Sequence, residues 1–466
     1  MQSLSMPPDR VASSRDSRLG FGRIALLLGL LTASFDIFLV LNVGGFTLRI
    51  HQVLLSISLA AVFQVTYKDE KLRAPLGFGW VTIWTLFILA FIPNTEYLPR
   101  SIGYGFFLLL SLLIVYCTVQ LYGNRRWIKV LLKGYLWVFV LVGGFGLLQL
   151  LLGAARLPAP LIKQWLIQGV WPRINGFSYE PSYFSTYMLM GWVFSAWLVE
   201  HRTYCFGERL TKVAFYVSTL AMLLSTSRIG WATMLLWSMF FLFRRLRFPG
   251  PIRFSPMLVV VALCAVVMTV LWIVHSGDKL KDDLVTFAGG TGLFGAPAHS
   301  VVDRQNSFNN TLAIISKSPF IGYSLGGVAT AIGVMQSGSI ANNVDAKHNE
   351  GSNVFAEVLA ASGVIGVVPF LVYLGMLVRK PLVVARNAGG DTAIVLSGLV
   401  WALLMELLIL QFNQNILRAY LWFHIGVLSA AHAAIATEGW RVMPDWKKLN
   451  ASTETPNGPI MFTITD

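Results

Sequence analysis

Charge is scarce in this chain: 12% of its 466 residues are Asp, Glu, Lys or Arg, against 55% hydrophobic. A soluble domain of that length carries more charge and shorter apolar runs, so a water-soluble globular protein is excluded. Cysteine is scarcer still. Of the three, Cys117 and Cys264 fall inside apolar runs and Cys205 between two others, with no evident pairing and no Cys/His cluster at metal-ligand spacing. No D-x-D triplet stands in the segments expected on the outer face, so no metal and no other cofactor is expected.

What is abundant is apolar sequence in runs of bilayer length, with a mean hydropathy of +0.65. The expected fold is an all-α polytopic membrane protein of about twelve transmembrane helices, at 22–44, 47–66, 76–92, 102–122, 130–153, 182–199, 211–225, 229–243, 256–275, 353–378, 391–410 and 419–436. The basic head before the first run is followed by too long an apolar stretch for a cleaved signal, so that run is expected to be retained.

The net charge of +14 does not point to nucleic acid, because the basic residues sit in short gaps between apolar runs. With both termini cytoplasmic, the inner segments hold 24 of the 36 Lys and Arg residues. They include Arg10, Lys68, Arg125, Arg202, Arg244, Arg379 and Arg441. This positive-inside bias sets the expected orientation. The chain then divides into a cytoplasmic segment 1–21, membrane spans over 22–275, a large outer loop 276–352, spans over 353–436 and a cytoplasmic tail 437–466. A second outer segment, 154–181, contains "APLIKQWLIQGVW", which reads as an amphipathic helix lying on the membrane.

Four outer segments bring ionisable residues to one face: Arg173 and Glu180 in "WPRINGFSYEPSYFS", Arg228 in "LLSTSRIGW", Arg304 in "DRQNSFNN" and His348 in "DAKHNEGSN". An arginine in a near-zero-length turn is costly beside hydrocarbon and calls for a partner or a wet cavity. Guanidinium forks match phosphate oxygens, which makes diphosphate the natural ligand. Plainer readings stand beside these. Arg173 can snorkel to lipid phosphates. Glu180 before Pro181 can complement a helix N-terminus. Arg228 can anchor a turn, and His348 can be an ordinary loop residue. Tyr179, Tyr183, Trp171 and Phe184 fit the aromatic belt expected at a membrane interface. Asp36 and Glu406 lie deeper in expected spans, either paired within the bundle or marking an ion path.

In this order and at these positions, the segments resemble the bacterial O-antigen ligase and Wzy-type polysaccharide polymerase superfamily over about residues 170–370. "RINGFSYEPSYFS" resembles its R-x-x-G-[FY]-x-x-E-P-S-x-[FY] stretch, "LLSTSRIGW" its S-R-[GA] turn, and "DRQNSFNNTLAIISKSPFIGYSLGG" its Arg-to-glycine segment. One departure is clear. Where ligases carry H-[NSQ], then nine residues, then G-x-x-G, here formed by Gly363 and Gly366, this chain has Ser352–Asn353 in place of the H-[NSQ] pair, and His348 stands four residues earlier.

The resemblance implies a GT-C-like glycosyltransferase that uses polyprenyl-diphosphate-linked glycans as donor and acceptor at the periplasmic face. Arg228 and Arg304 would hold the diphosphate, with Arg173 as a third contact and Tyr183 against the substrate. Glu180 is the first choice of base and His348 the second. The EPSYF stretch and the displaced histidine favour the exopolysaccharide or O-antigen polymerase branch, with a chain-length regulator as a partner. The alternatives are an O-antigen ligase acting on lipid A-core and, from another class, a lipid-linked oligosaccharide flippase.

Overall fold

The computed structural model describes residues 8–43, 46–66, 72–167, 169, 171–247, 299–339, 346, 349, 353–412 and 416–436. Its helices are α1 (Pro8–Leu31), α2 (Ile50–Thr66), α3 (Phe78–Ala90), α4 (Leu98–Tyr122), α5 (Arg125–Ala154), α6 (Pro181–Glu200), α7 (Glu208–Leu224) and α8 (Arg228–Arg247). They continue with α9 (His299–Lys317), α10 (Gly327–Ser337), α11 (Val354–Ala388), α12 (Gly390–Ile409) and α13 (Ala419–Ala436). Two short antiparallel hairpins interrupt them: β1 (Val40–Val43) with β2 (Phe46–Arg49), and β3 (Gln164–Ile167) with β4 (Trp171–Arg173).

The architecture is mostly helical. By length and composition α4, α5, α11, α12 and α13 can each cross a bilayer, and shorter apolar helical stretches lie at Leu19–Ser34, Ile50–Gln64 and Phe78–Ala90. α6, α7 and α8 coincide with the expected sixth to eighth spans. The expected ninth span, 256–275, and the first part of the long loop lie outside the described residues.

α6 is the axis of the bundle. Every residue from Phe184 to Leu198 is buried, as expected of a helix that is apolar on all sides. It packs against α5, α7, α8 and α12. Small residues set the spacing: a side chain at Gly191 would overlap the Phe139 ring of α5, and one at Gly146 of α5 would meet Phe184 at 2.8 Å.

Two expectations are corrected. The first apolar run does not continue as helix to residue 44. α1 stops at Leu31, a single 3-10 turn covers Thr32–Ser34, and the chain doubles back through β1 and β2 with Val40 opposite Arg49. The Thr32 hydroxyl bonds back to the Leu28 carbonyl, and Asp36 is drawn to cations on other segments, which a continuing helix in hydrocarbon would not allow. Nor is 159–171 an amphipathic helix. β3 pairs with β4, Gln164 opposite Arg173 and Trp165 opposite Pro172, with Gly169 at φ 74 in the turn. Pro172 lacks the N–H that a helix interior needs but fits a short hairpin strand.

The segment 318–326 docks onto a break in α11. Gly363 there has φ 58 and ψ −174, so the helix is two pieces meeting at a glycine with positive φ. The peptide groups freed at the break are re-used: Val364 and Ile365 donate to the Pro319 and Phe320 carbonyls, while Tyr323 and Ser324 donate to those of Ala360 and Ala361, at 2.8–3.2 Å. A Cβ on Gly363 would overlap the Phe320 carbonyl group, and one on Gly322 (φ 67) would lie 2.5 Å from the Ala360 oxygen. The backbones approach too closely for any other residue at either position. Gly326 packs against the Ser101 backbone of α4 in the same way.

Candidate functional site

The N-terminus of α6 is where the candidate residues meet. The segment leading to it, Ile174–Glu180, has little regular structure and is held by a buried side chain, Gln149 of α5. Its Oε1 accepts from the Gly176 and Asn175 amides at 2.9 and 3.3 Å. Its Nε2 donates to the carbonyls of Pro160 and Gly176 at 2.9 and 3.1 Å. Asn175 in turn donates to the Leu161 and Ser178 carbonyls. Phe177 is sandwiched between Phe35 and Phe145, each at 4.1 Å between ring centres, and its carbonyl accepts from the amides of Asp36 and Ile37. The "RINGFS" segment is therefore pinned from α5 and from the turn after α1.

Arg173 closes β4 and reaches across to the α7–α8 turn. Its Nε donates to the Thr226 hydroxyl at 2.8 Å, its Nη2 to the Thr226 carbonyl at 3.2 Å and its Nη1 to Gln164 Oε1 at 2.9 Å. Thr226 sits at φ 53, which a β-branched residue rarely adopts, and that conformation presents both oxygens to one guanidinium. Ser227 follows, its hydroxyl accepting from the Gly230 amide at the start of α8, and Arg228 is the first residue of that helix. Burial lowers the Arg173 pKa from its usual value, the like charge of Arg228 lowers it further, and Glu180 opposes both. Arg173, Arg228 and Glu180 thus share one electrostatic environment.

Glu180 precedes Pro181, the first residue of α6, with extended backbone angles, and its carbonyl accepts from the Tyr183 and Phe184 amides. The position is that of a helix cap. The side chain makes no capping bond and instead accepts a 3.0 Å hydrogen bond from Ser182. It is half-buried, and Tyr179 beside it is exposed.

Tyr183, one turn along, carries the Arg418 guanidinium 4.4 Å over its ring. Arg418 also pairs with Asp36 at 3.3 Å, and Asp36 pairs with Arg49 at 3.3 Å. Asp36 is therefore paired within the bundle at this end, the first of its two expected readings. Sequence reading missed Arg49 and Arg418 as members of the cluster. The available signal was their place beside outer span ends in a topology that keeps cations inside.

Arg304 lies on the first turns of α9, in backbone position only, and His348 lies outside the described residues. Glu406 of α12 is fully buried, and neither carboxylate oxygen has a hydrogen-bond partner among the described residues. A cavity of about 520 Å³ is lined by Met376, Arg379, Lys380 and His432 on the later turns of α11 and α13, at the opposite end of the bundle from this cluster.

Residues 213–371 match the O-antigen ligase family model. The match supports the O-antigen ligase/Wzy superfamily, whose members are glycosyltransferase-like enzymes of ligase or polymerase type. The ligase-type region runs from α7 to the first half of α11, so it includes the Thr226–Arg228 turn, Arg304, His348 and the docked loop at Gly363. Arg173, Glu180 and Tyr183 lie just before it. No curated protein matches the chain.

Proposed function

We propose that this chain polymerises polyprenyl-diphosphate-linked oligosaccharide repeat units at the periplasmic face of the inner membrane. The observation that carries the reading is the gathering at the N-terminus of α6 of Glu180, of Arg173, which grips Thr226, and of Arg228 two residues further on, the last from the ligase-type region. The bond between the anomeric carbon and the lipid diphosphate breaks, and a bond forms from that carbon to an acceptor sugar hydroxyl. Charge grows on the departing diphosphate, where Arg173 and Arg228, with Arg304 from α9, stabilise it. The hydroxyl proton passes to Glu180, whose half-buried side chain accepts a hydrogen bond from Ser182. His348 is the second candidate for that role. The reaction needs no metal, because the guanidiniums carry the charge that a metal would neutralise.

The family description favours a second reading, transfer of finished polymer to lipid A-core by a ligase. One assay separates them: purified protein with the organism's own lipid-linked repeat unit in EDTA, read by mass spectrometry. A ladder of longer lipid-linked chains supports the polymerase, and Arg173→Gln and Arg228→Gln then abolish it. No ladder, with transfer once lipid A-core is added, replaces it with the ligase. No product with either acceptor overturns both.

A further inference from the structure

The charge at the mouth falls into two groups about the start of α6. Beside the group of Arg173, Arg228 and Glu180 stands Asp36, shared between Arg49 and Arg418, each at 3.3 Å. Two neighbouring segments, the turn after α1 and the end of the β1–β2 hairpin, build it with a distant one, the residue before α13. Nothing in the local fold of those segments requires a charge there. One carboxylate serves two guanidiniums: Arg418 Nη1 lies 3.4 and 3.3 Å from its two oxygens and Arg49 Nη2 3.3 Å from Oδ1, so each arginine raises the cost of keeping the other charged. The Nε of Arg49 is buried without a hydrogen-bond partner among the described residues, although a buried donor of that kind is costly to leave unmade. Asp36 fixes the forks in place, and the Tyr183 ring under Arg418 ties the group to the helix whose first turn follows Glu180.

We propose that Arg49 and Arg418, oriented by Asp36, form a second anion-recognition subsite, which binds an oxyanion of the glycan substrate while Arg173 and Arg228 hold the departing diphosphate. This rests on the glycosyl-transfer reading, and it names a substrate class: a glycan that carries a second anionic group besides its leaving group. Two sources offer that chemistry, the carboxylate of an acidic sugar near the reacting residue and the diphosphate retained by the acceptor lipid. Both match a guanidinium fork bidentately.

Binding tests the subsite without turnover. Purified full-length protein is titrated calorimetrically with farnesyl diphosphate, a short oligoglucuronate and a neutral oligoglucoside. The titrations compare wild type with Arg49→Gln, Arg418→Gln and Arg173→Gln. The expected result is that Arg49→Gln and Arg418→Gln each weaken one anionic probe at least tenfold while Arg173-dependent binding of farnesyl diphosphate persists. Loss of oligoglucuronate binding assigns the subsite to a sugar carboxylate. Loss of a second equivalent of farnesyl diphosphate assigns it to the acceptor lipid. Should Arg418→Gln fail to fold, Arg49→Gln on the half-exposed hairpin carries the test. Unchanged affinities and stoichiometries in the folded variants overturn the subsite, and so does wild-type protein that binds neither anionic probe. A missing product ladder with the subsite's binding intact overturns only the polymerase reading.

Discussion

Replacing Gln149 with leucine is the sharpest test of how the site is held. The volumes are similar and the position is fully buried, so the change removes polarity more than bulk. Four hydrogen bonds vanish at once, from the amides of Asn175 and Gly176 and to the carbonyls of Pro160 and Gly176. The Asn175 and Gly176 groups lie beneath the site, where water cannot easily replace the amide, whereas Pro160 is exposed and its carbonyl can turn to water. At about 1 kcal/mol for each of the three buried groups left unpaired, the native segment loses roughly 3 kcal/mol relative to displaced forms. With a tenfold change for every 1.4 kcal/mol, that shifts the local equilibrium by about 10²-fold.

The helices should remain folded, because α6 is buried along its length by contacts that Gln149 does not make. Hydrogen exchange read by mass spectrometry should therefore accelerate across 174–178 by a factor of that order, with the core of α6 still protected. Polymerisation should fall in parallel, since Arg173 and Glu180 flank the loosened segment. Wild-type exchange at 174–178 in Gln149→Leu would refute the reasoning, whatever happened to activity. Gln149→Glu keeps an acceptor for the two amides but adds a buried charge, and should be at least as damaging.

Further outcomes follow from single contacts. Gly363→Ala forces a Cβ into the Phe320 carbonyl group at a positive φ, so it should cost about 1–3 kcal/mol and release the 318–324 loop, visible as faster proteolysis there. Arg173→Lys keeps the charge but cannot reach the Thr226 hydroxyl, the Thr226 carbonyl and Gln164 together; the rate should drop about tenfold or more, and less than for Arg173→Gln. Glu406→Met removes two buried carboxylate oxygens that have no partner among the described residues, so thermal denaturation should shift upward; a lower midpoint would contradict that accounting.

The helices that were legible in the sequence are those apolar on every side, whether enclosed by other helices, as α6 is, or only about half buried, as α4, α5 and α11 are. α6 reads as a span because an axis surrounded by other helices is apolar on every side, whereas the β1–β2 hairpin was hidden by the same logic. "FLVLNVGGFTLR" continues the hydropathy of α1, and a short β-branched apolar run cannot be told from helix by periodicity. The cues against helix were the Gly-Gly pair at 44–45 and Asp36 itself, which hydrocarbon would not tolerate without a partner. The site divides in the same way. A charge at a span boundary is expensive whatever it meets, so Arg173, Glu180 and Arg228 announce themselves locally. Their partners do not: Asp36 meets Arg418 across 382 residues of chain, and Arg173 finds two oxygens on Thr226 only because that residue adopts a positive φ. Which charges face one another depends on how the helices close around α6, and no local pattern encodes that closure. The glycines stand between these cases. Gly322 and Gly363 can be picked out from sequence as turn formers, but their reason, two backbones exchanging hydrogen bonds at a helix break, exists only once both segments are in place.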